Sequence, residues 1–234
     1  MQASSSKRGA AVRSRVAVVD EFRMISEAIG VVISREPDLE YVGSASTPAD
    51  AVDLVTRQGA DVVVIDVDVP TPGNPDFDGI DVIKQLKAAS PQTRVLILAG
   101  RMELDTMARA ASEGACGFLP KTSSLEDICQ AIRTARDGGM FVERELIAPL
   151  IDRLHRGTPI RGGSKRADVT AREMEVLTLL GEGLDVTSIA KQLKISVNTC
   201  RGHVKNLLVK FGAHTQLEAV VQAVHQGLLP RLSH

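Results

Sequence analysis

The stretch Asp61–Pro70, DVVVIDVDVP, decides the reading of this chain. Val62, Val63, Val64 and Ile65 form an unbroken β-branched run that stops at Asp66. A short apolar run of this kind reads as a strand buried on both faces, as in a parallel sheet. Open α/β sheets bind ligands where such strands end at their carboxyl side. Asp66 stands at that end, and Asp68 follows it.

The same grammar repeats on both sides. Residues 15–19, RVAVV, form an apolar run that ends at Asp20 and Glu21; Ile25, Ala28, Ile29, Val32 and Ile33 then recur at helical spacing until Pro37. Tyr41–Gly43 reads as a short strand, and Thr47-Pro48 opens a helix with Thr as N-cap and Pro in its first turn. Beyond Asp66, a helix is marked by Ile80, Val82, Ile83 and Leu86, a strand by RVLILA at 94–99, and a helix by Leu104, Met107, Ala108 and Ala111. GFLP at 117–120 is a last strand ending at Lys121, and Leu125, Ile128, Cys129 and Ile132 mark the helix after it. Strands alternating with helices predict an α/β fold, a doubly wound parallel sheet of five strands.

Three strand ends thus carry polar groups: Asp20 with Glu21, Asp66, and Lys121. Clustered carboxylates repel one another until a cation arrives. Mg²⁺ takes one or two carboxylates, a carbonyl, waters and phosphate oxygens. A lysine beside them can neutralise a phosphoryl group. The consistent chemistry is phosphoryl transfer onto Asp66.

Residues 15–138 resemble the receiver domain of two-component response regulators. VAVVDE carries the acidic pair after the first strand, VVVIDVDVP the phosphoacceptor strand, and GFLPK the lysine motif, with Phe118 at its aromatic position. The resemblance implies Asp66 as phosphoacceptor. It implies Mg²⁺ held by Glu21 and Asp66, by the Asp68 carbonyl and, through water, by Asp20. The sequence departs from the pattern in three places. The acidic pair is Asp-Glu rather than Asp-Asp. The loop TPGNPDFDG at 71–79 is longer than usual and adds Asp76 and Asp78. Ala99 stands where the family has a Thr or Ser that hydrogen-bonds the phosphoryl group. Loss of that hydroxyl removes a bond to a charged group, about 1.5–3 kcal/mol, so an atypical receiver that switches without phosphate is the alternative. VIDVDV also fits the D-x-D-x-[TV] pattern of haloacid-dehalogenase-like phosphatases. That motif belongs on a first strand, and here two strand–helix units precede it.

The chain then changes character. Residues 139–161 combine the weakly helical ELIAPLIDRLHRG, with Pro149 inside, and TPIR, the start of the Gly-, Pro- and Arg-rich TPIRGGSKR, and read as a linker with a short helix. From Thr170 the pattern is helical. Thr170 to Glu173 and Thr215 to Glu218 are capping boxes, and Ser196 caps a long helix whose apolar stripe is Val197, Cys200, Val204, Leu207, Leu208 and Phe211. Asn198, Arg201, Gly202 and Lys205 lie on its other side, at a spacing suited to the major groove.

Residues 162–227 resemble the LuxR-type helix-turn-helix, through VTAREMEVLTLLGEG, SIAKQL and ISVNTCRGHVKNLLVKFGA. The resemblance implies Arg201, Gly202 and Lys205 facing bases, Thr199 and Lys210 on phosphates, and the last helix (within a domain taken as 162–234) pairing two copies. Receiver and tail together resemble the NarL/FixJ subfamily of response regulators. The implied function is a DNA-binding transcriptional regulator, not an enzyme. Its implied partners are DNA, a sensor histidine kinase and a second copy.

Composition agrees. Residues 16–140 hold 11 basic and 20 acidic side chains, and residues 165–234 hold 9 and 6, an acidic front and a basic back. The chain has no Trp and one Tyr, which argues against the aromatic ligand pocket of quorum-sensing LuxR proteins. Cys116, Cys129 and Cys200 lack metal-ligand spacing and fit a reducing cytoplasm. No apolar run reaches the ~20 residues of a membrane span. Residues 1–14 read as a disordered basic tail.

Overall fold

The computed structural model describes residues 13–67, 79–157 and 167–230. Five parallel strands form one sheet: β1 (Ser14–Val19), β2 (Leu39–Ala45), β3 (Val62–Asp66), β4 (Arg94–Ala99) and β5 (Ala115–Pro120), in the order β2-β1-β3-β4-β5. The helices between them are α1 (Arg23–Arg35), α2 (Pro48–Gln58), α3 (Gly79–Ala89) and α4 (Leu104–Ser112), and α5 (Leu125–Arg136) follows β5. The expected α/β fold is therefore the observed one.

Strand alternation splits the core in two. Ala17, Val19, Val63, Ile65, Val95, Ile97, Ala99 and Phe118 point to one face, where Val55, Ile83 and Met107 of α2, α3 and α4 cover them. Val16, Val18, Val62, Val64, Leu96, Leu98, Cys116 and Leu119 point to the other, against Ile29 and Ile33 of α1 and Ile128 and Ile132 of α5. Both faces of β3 are buried, which is why its sequence is continuously apolar rather than alternating.

Helix ends follow local chemistry. Thr47 Oγ1 accepts from the Asp50 N–H at the start of α2, and Gly59 ends that helix in the left-handed region, φ 60°. Ser124 and Asp127 form a reciprocal capping box on α5.

The segment after α5 is anchored rather than loose. The Phe141 N–H donates to the Cys116 carbonyl (3.2 Å), and the Phe141 carbonyl accepts from the Phe118 N–H (2.7 Å), extending the sheet edge beyond β5. Helix α6 (Arg144–Gly157) then runs for 14 residues, longer than the short helix its sequence suggests. Pro149 inside a helix costs ~3 kcal/mol. Ile147, Leu150, Ile151 and Leu154 lie on one buried stripe of α6. Burial stabilises such side chains by ~1.5–3 kcal/mol each, so four of them outweigh the proline.

Four helices follow among the described residues: α7 (Ala171–Gly181), α8 (Val186–Gln192), α9 (Val197–Phe211) and α10 (Gln216–His225). Helix α6 packs against both α4 and α10, so the buried cluster on the α2–α4 face of the sheet continues into this bundle. Residues 1–12, and with them most of the expected basic tail, lie outside the described residues, as do 68–78, 158–166 and 231–234.

Candidate functional site

Strands β1 and β3 are neighbours, while β2 lies beyond β1 and β4 beyond β3. The chain direction of assembly reverses between β1 and β3, and that crevice is where open α/β sheets bind ligands. Val19 pairs with Ile65, so Asp20 and Asp66 follow at adjacent strand ends. Asp66 is 1% exposed. Lys121, just past β5, donates from Nζ to Asp66 Oδ2 at 2.5 Å. The Lys121 N–H is itself fixed by the Ala99 carbonyl (2.9 Å), so the ends of β3, β4 and β5 are tied together through one lysine. Phe22 lies below the ammonium, 6.0 Å from ring centroid to Nζ.

Asp20 is 2% exposed. Its Oδ1 accepts from the Phe22 N–H at 2.7 Å, whereas its Oδ2 is buried with no hydrogen-bond partner. Burial pushes the Asp20 carboxyl above the usual carboxylate range; the Phe22 N–H opposes this, and the negative charge of Asp66 adds to it. An orphaned buried carboxylate oxygen beside a second buried carboxylate is a donor set for a hard dication. The residues present therefore fit Mg²⁺. Glu21 is exposed at the rim. Asp68, Asp76, Asp78 and the loop carrying them lie outside the described residues. Among the described residues no three His, Cys, Asp or Glu side chains gather as a metal cluster.

Ala99 is 3% exposed and Phe118 2%, both on the α2–α4 face of the sheet. The position that would carry a hydroxyl thus presents a methyl group to the core.

The second set of residues lies on α9. Helix α8, a turn with Lys194 at φ 55°, and Ser196 as N-cap lead into it. Ser196 Oγ accepts from the Thr199 N–H (3.0 Å) and shares a hydrogen bond with Thr199 Oγ1 (2.8 Å). Asn198, Thr199, Gly202, Lys205 and Asn206 are exposed. Arg201 is half-buried, and its Nη2 donates to Asp137 Oδ2 at 2.5 Å, just past α5. Arg94 Nη1 adds a second tie between the two halves, donating to the His214 carbonyl at 2.8 Å.

Lys210, which the resemblance matches to a phosphate contact, is paired within the chain. Its ammonium donates to Glu173 Oε2 at 2.7 Å. Burial pushes the Glu173 carboxyl up, but Lys210 and the Thr170 N–H outweigh it and hold the group below the usual range. Lys210 therefore closes a pair that locks α9 to the start of α7. The capping box at Thr170 marked Glu173 in the sequence, but not its second partner. Asp137 carried no local signal at all, because its partner lies 64 residues away.

Residues 16–133 match the response regulator receiver domain family, and residues 167–223 match the bacterial regulatory proteins of the luxR family. The transcriptional regulatory protein LnrK of Bacillus subtilis is 26% identical over 220 residues, covering 92% of this chain and 98% of LnrK. The response regulator protein VraR of Staphylococcus epidermidis is 28% identical over 219 residues, with the same coverage of both chains. The response regulator RcsB of Salmonella typhimurium shares the fold, with a TM-score of 0.53 at 22% identity over 86% of this chain and 93% of that one. LnrK is named a transcriptional regulatory protein and VraR a response regulator protein, in line with a chain that is not an enzyme. No helix among the described residues is long and apolar enough to cross a membrane. With an Asp66–Lys121 crevice at one end of its sheet and a helix-turn-helix bundle behind it, the chain belongs to the response regulator family, as a DNA-binding transcriptional regulator with a receiver domain and a LuxR-type helix-turn-helix domain.

Proposed function

We propose that the chain divides into a receiver over 15–138, a linker over 139–161 and a DNA-binding domain over 162–234, and that phosphorylation of Asp66 by a partner sensor histidine kinase controls promoter binding. The 2.5 Å contact between Lys121 and Asp66 carries this reading. A fixed cation beside Asp66 supports the reading, because it would offset phosphoryl charge as that charge develops. An Asp66 carboxylate oxygen attacks the phosphorus of a phosphohistidine; the new O–P bond forms as the P–N bond breaks, and the imidazole leaves with its electron pair. Asp20 and Asp66, with Glu21 and the Asp68 carbonyl, are the residues that would hold Mg²⁺. When bound, that ion would offset the negative charge of the two carboxylates and of the phosphoryl oxygens. Lys121 then exchanges Asp66 Oδ2 for a phosphoryl oxygen.

The output rests on α9. Arg201 and Lys205 donate to base edges, Gly202 faces the groove floor, and Thr199 sits at the helix N-terminus, where phosphates bind. In the observed arrangement Arg201 is held by Asp137, and α10, the element proposed to pair two copies, is packed against α6. Phosphoryl charge of about −1.5 to −2 shifts the balance toward separated domains and a homodimer on two half-sites. This work on DNA is assigned to the cytoplasm.

Incubation with acetyl phosphate and Mg²⁺ tests the acceptor. The wild-type chain should gain the mass of one phosphoryl group and Asp66→Asn should not. An equal adduct on Asp66→Asn sinks the assignment.

A further inference from the structure

The end of the sheet opposite the Asp66 crevice carries a different kind of charge. At the amino ends of β1, β3 and β4 an open cavity of about 540 Å³ lies between Arg13, Arg94 and Arg136. Small-molecule pockets run from about 300 to 1,000 Å³, so there is room for a ligand. Three guanidinium groups around one cavity stand out in residues 16–140, where acidic side chains outnumber basic ones.

The cations are not balanced from within. Among the described residues lining the cavity, the one carboxylate is Asp61, and its Oδ2 already accepts from the Arg15 N–H (2.8 Å). Arg15, Arg57 and Arg133 each sit on a carboxylate, and Arg136 is held by Asp38 and Asp137. Arg13 and Arg94 have no such partner among the described residues. Arg94 instead gives Nη1 to the neutral His214 carbonyl (2.8 Å). Lys87 stands behind Thr93, its ammonium on the Pro91 and Thr93 carbonyls (2.7 and 3.1 Å). Burial, and then the charge of Arg94, hold that ammonium below the usual lysine range; Glu218 of α10 offsets only part of this. Arg94 is therefore close enough to a second cation to repel it.

The lining says what would relieve the repulsion. Guanidinium groups grip phosphate oxygens with paired hydrogen bonds, and Gln92 adds a neutral donor at the exposed rim. No aromatic ring is among the described lining residues, so nothing there stacks on a base. The rival role for these arginines is local: α2 and α3 end beside the cavity, at Gly59 and Ser90, and helix carboxyl ends attract cations. That role accounts for positive charge but not for an open volume enclosed by it.

We propose that this cavity is a second anion site, separate from the phosphoacceptor, which binds a small oligophosphate through Arg13, Arg94 and Arg136. It lies beside both ties between the two halves of the chain. Arg94 holds the His214 carbonyl, and Arg136 holds Asp137, the partner of Arg201.

Calorimetric titration of the full chain with inorganic tripolyphosphate, in the absence of Mg²⁺, tests the proposal. A single equivalent should bind. Arg13→Gln/Arg94→Gln should weaken binding by roughly tenfold or more, the size of one bond to a charged group. Arg13→Gln alone changes only an exposed side chain and should weaken it a few-fold; unfolding temperatures near that of the wild type show that the variants are folded. ATP should bind about as well as tripolyphosphate. No binding to the wild type, or equal binding by both variants, overturns the proposal and leaves the arginines to the helix ends. Binding lost in Arg201→Ala/Lys205→Ala but kept in the double variant places the anion on α9 and overturns it too. A preference for ATP of roughly tenfold or more overturns recognition by phosphate groups alone.

Discussion

Arg201, on the proposed DNA-reading helix, is bound to Asp137 at the end of the last receiver helix, Nη2 to Oδ2 at 2.5 Å. A guanidinium cannot donate those protons to a guanine edge at the same time. Both side chains are about one-third exposed or more, 41% and 31%, so the pair is worth only ~0.2–1 kcal/mol. A contact that weak biases the domains without locking them.

Asp137→Ala should therefore raise the DNA affinity of the unphosphorylated chain a few-fold, since ~1 kcal/mol is about fivefold. Titration of a selected duplex in the absence of phosphodonor measures it. An unchanged or weaker affinity would show that this pair does not restrain α9.

The helix between the halves should matter more. Leu150 of α6 is fully buried, and α6 touches both α4 and α10. Leu150→Ala should cost about 2–5 kcal/mol of stability, read from urea unfolding. A loss below ~1 kcal/mol would mean that α6 is packed less tightly than the stripe implies.

Glu173 ties α7 to α9 through Lys210, and its carboxyl is held below the ordinary range despite burial. The unfolded chain titrates near ~4.3. A depressed carboxyl contributes stability that is present above that value and is lost as pH falls through the lower, folded one. Glu173→Gln should thus destabilise the chain by about 1.5–3 kcal/mol at neutral pH, the range of one hydrogen bond to a charged group, because Lys210 is itself exposed. The difference should shrink as the pH drops below ~4. Unfolding curves across pH check it; a difference independent of pH would assign the effect to capping geometry alone.

Ala99 faces the core at the end of β4, and its carbonyl fixes the Lys121 N–H. Ala99→Ser adds one oxygen near the acceptor with little volume. A hydrogen bond to a charged group contributes about 1.5–3 kcal/mol, so the ratio of phosphorylated to unphosphorylated DNA affinity should widen by roughly tenfold or more. Parallel titrations of both states measure that ratio. An unchanged ratio would mean that switching does not pass through this position.

Much of this was legible in the chain. Continuous β-branched runs exposed the buried strands, and their polar last residues exposed the crevice, because a parallel sheet forces both signals into local sequence. Asp20, Asp66 and Lys121 converge as the alternation of strands and helices predicts. Other features were out of reach. Pro149 masked the length of α6, whose stability comes from burial against α4 and α10 rather than from propensity. Asp137 and Arg201 meet only through domain docking, as do Arg94 and His214. The pairing of Lys210 with Glu173 was out of reach as well, because the two lie 37 residues apart.

A phosphoryl group on Asp66 should control α9 at the far end of the chain. The direct measurement is the affinity for one selected duplex before and after treatment with acetyl phosphate and Mg²⁺, in the wild-type chain and in Asp66→Asn. Binding should tighten after treatment of the wild type and stay unchanged in Asp66→Asn. Equal wild-type affinities with the phosphoryl adduct demonstrably present would contradict it.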